Sequence, residues 1–80
     1  MKTLNPAESL LRVVKIDSSI IESAVIESVK HFINHNETGL AYDELLFQIE
    51  NKFYCPSSEA LKLIKHAARE LKIIYPNWSC

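Results

Sequence analysis

The stretch SIIESAVIESVKHFIN, residues 19–34, decides the fold. Ile21, Val25, Val29, Phe32 and Ile33 recur at three- and four-residue steps, the repeat that lines one side of an α-helix. Ile20, Ala24 and Ile26 flank that line, and Glu22, Ser23, Glu27, Lys30 and Asn34 fall mainly on the other side. The β-branched residues lower intrinsic helix propensity without changing the period. Ser19 and Glu22 stand at capping-box spacing. The stretch therefore reads as a helix from Ser19 to about Asn34, and as the central packing helix.

Working outward, Asn5-Pro6-Ala7-Glu8 opens a first helix with an N-cap, a proline at the first helical position and an acid where a capping box needs one. It is expected to reach about Lys15 with Leu10, Leu11 and Val14 inward, before Asp17-Ser18-Ser19 interrupts it. His35 to Gly39 reads as a turn. A third helix, about Leu40 to Phe53, has Tyr42, Leu45, Leu46, Ile49 and Phe53 as its inward stripe. Tyr54 to Ser58 breaks it, and Ser57 or Ser58 caps a fourth helix running to about Lys72. That helix turns Ala60, Leu61, Ile64, Ala67, Ala68 and Leu71 inward. The tail Ile73–Cys80 is expected to pack back as an extended segment. With one glycine and three prolines in the chain, the pattern predicts an all-α, compact antiparallel bundle of about four helices, one domain over residues 1–80.

Composition bounds the function. Eighty residues leave no room for a Rossmann unit, a barrel or a separate catalytic domain. Lys plus Arg is 9 and Asp plus Glu is 10, a net charge of −1, without the basic excess of a generic nucleic-acid binder. Hydrophobic residues at 48% suffice for a packed core. No apolar run approaches the ~20 residues of a membrane span, and Met1 to Pro6 lacks the apolar stretch of a signal peptide. Cys55 and Cys80 are too few for a disulfide scaffold, and two reduced thiols are expected, although one bridge stays open. Together these point to the cytoplasm.

The outer face of the third helix carries the strongest functional signal. With Phe47 at the centre and 100° per residue, Leu40, Asp43, Glu44, Glu50, Asn51 and Tyr54 fall within about 60° of it. Aromatics among carboxylates suit a protein-binding patch: the rings supply buried area and the acids orient a basic partner. Phe47 and Tyr54 would equally suit packing under the first helix or the tail, so both readings stand open.

Other features carry less. Lys62, Lys65, His66, Arg69 and Lys72 share one side of the fourth helix. They suggest either a solvated face or, with the third helix, a helix-turn-helix touching phosphates. That face offers one arginine and no Asn or Gln to read bases, and the connection lacks the turn glycine often found there. His31 and His35, four apart, are better explained by a helix C-terminus that favours cations than by zinc, since no further ligand motif accompanies them. No metal or cofactor is expected. Cys55 has no oriented base, and no phosphate loop, nucleophile elbow or carboxylate pair is present, so no enzyme activity is expected.

Asn36-Glu37-Thr38-Gly39-Leu40-Ala41-Tyr42-Asp43-Glu44-Leu45-Leu46, followed by Gln48-Ile49-Glu50, resembles the MafI-like immunity proteins of bacterial polymorphic toxin systems, which include contact-dependent growth inhibition. Their pattern runs from Asn or Glu through Gly-Leu-Ala, an acid and a leucine into an acidic helix. A Ser/Glu segment and a final amphipathic helix follow, matched by Ser57-Ser58-Glu59-Ala60-Leu61 and the run to Ile73. The resemblance covers about Phe32 to Ile73. Tyr42 stands where the pattern often has an aliphatic residue, and Phe53-Tyr54-Cys55-Pro56 departs from its more acidic connection.

The resemblance implies an immunity protein that binds and neutralises a cognate toxin domain in the cytoplasm of the producing cell. Many such toxins are nucleases with basic clefts, in which carboxylates can stand in for phosphates. The expected contacts are Glu37, Asp43, Glu44, Phe47, Glu50 and Tyr54, with no nucleic acid and no membrane as partner. The alternatives are a helix-turn-helix nucleic-acid-binding regulator using helix 58–72, and an adaptor docking through the same acidic face.

Overall fold

The computed structural model describes residues 5–76. Helix α1 spans Pro6–Ile16. Asn5 Oδ1 accepts from the Glu8 N–H at 2.8 Å, and the Glu8 carboxylate accepts from the Asn5 N–H at 3.2 Å. This reciprocal pair supplies partners for backbone N–H groups that the helix start would leave unpaired. Helices α2 (Ser23–Asn34), α3 (Thr38–Glu50) and α4 (Ser58–Glu70) follow. Ser57 caps α4, its Oγ accepting from the Ala60 N–H at 3.3 Å. The architecture is an all-α bundle of four helices, with no strand among the described residues.

The expected start of the second helix at Ser19 is corrected to Ser23. The N–H groups of Ile20 and Ile21 donate to the Asp17 carbonyl at 2.9 and 3.0 Å, folding this segment into a turn. Glu22 is the N-cap of α2, without a side-chain cap bond. Asp17 and Ile21 are both buried, so tertiary anchoring at these two residues overrides the local capping signal.

Helices α2, α3 and α4 stop by one device. Asn36, Lys52 and Lys72 adopt left-handed φ values of 57°, 63° and 61°. After α2, the Glu37 N–H donates to the Phe32 carbonyl at 2.7 Å and the Asn36 N–H to Ile33 at 3.1 Å. Phe53 to Gln48 and Lys52 to Ile49 repeat the pair after α3, and Ile73 to Ala68 and Lys72 to Arg69 after α4. These are Schellman motifs, which satisfy the last carbonyls. The expected ends at Phe53 and Lys72 are thereby corrected to Glu50 and Glu70.

The helices pack in two main pairs, α1 on α4 and α2 on α3. Leu10, Val13 and Val14 of α1 meet a core shared with Val25 and Val29 of α2, Ala41, Tyr42, Leu45 and Ile49 of α3, and Ala60, Ile64, Ala67 and Ala68 of α4. The three alanines allow close approach of α4 to its neighbours. Val13 takes the inward place expected of Leu11, which is exposed. Phe32, Ile33, Leu46 and Leu71 lie at the margin of the core. In the tail, Tyr75 packs on the core, whereas Ile73 and Ile74 are exposed; the rest of the expected packing lies outside the described residues. Among the described residues, no helix is long and apolar enough to cross a membrane.

Candidate protein-binding surface

Helix α3 is apolar on two sides. Tyr42, Leu45 and Ile49 face the core, while Leu40 is 46% and Phe47 54% exposed. Asp43, Glu50 and Asn51 are exposed around Phe47, Glu44 is half-buried, and Glu37 is exposed at the helix start. Five of the six expected contact residues thus retain access to solvent. Asn51 is committed locally, its Nδ2 donating to the Phe47 carbonyl at 2.8 Å.

Glu50 is the last residue of α3, and no basic residue accompanies it in the last turn. A carboxylate there opposes the helix dipole, at a cost of about 0.3–1 kcal/mol. Its position is poor for the helix.

Tyr54, expected as a second exposed anchor, is 3% exposed. Its hydroxyl donates to Asp17 Oδ2 at 2.6 Å, and the Ser57 N–H donates to the same oxygen at 3.0 Å. Burial, followed by the bond to Asp17, pushes its hydroxyl pKa well above the ordinary tyrosine value. The angular step of a helix stops applying at Lys52, where the chain turns left-handed. Tyr54 consequently swings into the core and Phe53, expected inward, is left 69% exposed. Phe53 is the large exposed aromatic that the sequence reading missed. Its only advance signal was the break at Tyr54–Ser58, placed three residues too late.

On α4, Lys62, Lys65 and Arg69 are exposed and His66 is half-buried, and Lys72, past the helix end, is exposed. Lys65 Nζ stands 5.6 Å from the centre of the Tyr75 ring, a cation–π distance. The α4 helix packs chiefly on α1 and little on α3, and residues 51–57 separate it from α3. A helix-turn-helix instead joins its two helices by a turn of three or four residues.

The rings of His31 and His35 are 4.2 Å apart, and His35 Nδ1 lies 2.8 Å from the His31 carbonyl. Donation from that nitrogen caps the end of α2. Among the described residues, no group of three or more His, Cys, Asp or Glu could hold a metal ion. Cys55 is disulfide-bonded, which corrects the expected reduced thiol and removes one of the grounds for placing the protein in the cytoplasm. Cys80 lies outside the described residues.

Comparison with family models, curated proteins and solved structures finds no match to this chain.

Proposed function

We propose that this protein is an immunity protein, which binds and neutralises a cognate bacterial toxin domain, a basic nuclease, in the producing cell. It works by binding and carries out no catalysis. The observation that carries this reading is the exposed Phe47 flanked by Asp43 and Glu50 on one face of α3. An exposed ring between carboxylates gives an anchor that fills a pocket and charges that pair with Lys or Arg. Glu37 and Glu44 extend the acidic surface along the helix. The resemblance at residues 36–50 supplies the class of partner. Tyr54 supports this surface from within rather than touching the toxin.

The test begins with tagged protein in nuclease-treated host lysate. A stoichiometric partner carrying a C-terminal toxin domain is the expected capture. Against that purified partner, Phe47→Ala with Glu50→Lys should weaken binding by about 30-fold or more, a hot-spot loss of about 2 kcal/mol. The far-UV helical signal should stay unchanged. Unaltered affinity would remove α3 as the interface. Capture of an ordinary cellular protein instead would favour an adaptor using the same face.

A further inference from the structure

The arrangement in two helix pairs leaves a seam. Because α1 leans mainly on α4 and α2 on α3, a groove stays open between α1 and α2. It is lined by Leu11, Val14, Lys15, Ser18, Ile26 and Lys30. Leu11 and Ile26 give the groove apolar walls, and one helical turn beyond each stands a lysine, Lys15 after Leu11 and Lys30 after Ile26. Both lysines are exposed, and neither forms an ion pair with another described residue. A groove of this kind selects a ridge with an apolar crest and negative flanks.

The same chain presents such a ridge. On α3, Asp43 precedes Phe47 by four residues and Glu50 follows it by three, so all three share a face. The two carboxylates are separated by about 10 Å along the helix, with the ring between them. The net charge of −1 opposes the approach of two copies only weakly.

We propose that this protein self-associates head to tail, the Asp43–Phe47–Glu50 ridge of one copy seating in the Lys15- and Lys30-rimmed groove between α1 and α2 of the next. Phe47 meets Leu11 and Ile26 above the buried Val14 at the groove floor, and the carboxylates meet the two ammonium groups. Two different surfaces are joined, so each added copy leaves a ridge and a groove unfilled, and association grows with concentration. The ridge is also the surface assigned above to the toxin, so a bound toxin and a second copy exclude each other. Self-association needs no toxin, and its test is independent of that assignment.

Sedimentation equilibrium of the purified chain from about 10 μM to about 1 mM is the experiment. The weight-average mass should rise with concentration and fall back when salt is added. Lys15→Glu with Lys30→Glu should leave a monomer, and so should Asp43→Lys with Glu50→Lys. An equimolar mixture of the two variants should regain association, because the acidic ridge of the first meets the intact groove of the second. All four substituted residues are exposed, and unchanged thermal unfolding of each variant checks its fold. Phe47→Ser, which alters no charge, should also reduce association. A wild-type chain that stays monomeric throughout would overturn the proposal and leave the groove to a foreign acidic partner. Association that survives either charge reversal, or a mixture that stays monomeric, would overturn it as well.

Discussion

Asp17 ties the chain together at a single oxygen. Its Oδ2 accepts from the Tyr54 hydroxyl and from the Ser57 N–H, joining the end of α1 to the segment that leads into α4. Truncating it leaves a buried hydroxyl without its acceptor and the α4 entry without its anchor. Asp17→Ala is expected to lower the unfolding free energy by about 2–4 kcal/mol, and Tyr54→Phe by about 1–2 kcal/mol. Urea titration measures both, and a loss below about 0.5 kcal/mol for Asp17→Ala would show that water replaces these bonds at little cost. Sequence alone gave no means of finding this contact, because its partners stand 37 and 40 residues apart. Phe47 was legible for the opposite reason: it lies inside a helix, where a fixed angular step holds. Ser9 Oγ and the Tyr42 hydroxyl are the opposite case to Asp17, both buried without a hydrogen-bond partner among the described residues.

At the scale of the helix, the left-handed residue that ends each of α2, α3 and α4 is not glycine. Asn tolerates that conformation, but the Cβ of Lys52 and Lys72 crowds the backbone. Lys52→Gly and Lys72→Gly should therefore each stabilise the fold by about 0.5–1 kcal/mol, less whatever glycine returns to the unfolded chain as entropy. Thermal unfolding in a single scan series measures this, and a lowered Tm in both variants would show that the lysine side chains hold these ends through other contacts. The same feature explains which boundaries were readable. Asn5, Pro6, Glu8 and Ser57 announce the starts of α1 and α4 because capping is written in the side chains themselves. The ends of α3 and α4 were overrun by two or three residues, since glycine is the usual signal there and none is present. That overrun is the whole cause of the exchange between Phe53 and Tyr54. At α2 the error is of another kind: a valid Ser19–Glu22 signal lost to the burial of Asp17 and Ile21.

For the molecule as a whole, three tyrosines link stability to alkaline pH. Burial pushes the Tyr42 hydroxyl up to about 12, with Tyr75 and Asp43 adding to it. Tyr54 and Tyr75 are also raised by burial. Each native hydroxyl holds a proton that the unfolded chain releases from about pH 10. Their contribution is complete below that pH and is lost as pH rises through 10 toward the native values. Urea midpoints should thus be level up to about pH 9 and fall steeply above pH 10; a Tyr42→Phe variant should show a shallower fall. Midpoints that stay level to pH 12 would mean that the three hydroxyls titrate as in the unfolded chain. The two-pair arrangement also has a temporal side. Helices α2 and α3 are neighbours in sequence, separated only by residues 35–37, and can zip together with little loop closure. Helices α1 and α4 come from opposite ends of the chain, so their pairing carries the larger loop-closure cost and is expected to follow the inner hairpin. The Asp17–Tyr54 bond is then expected to form on the late side of the folding barrier, so Tyr54→Phe should raise the unfolding rate and leave the refolding rate nearly unchanged, as stopped-flow kinetics in urea would measure.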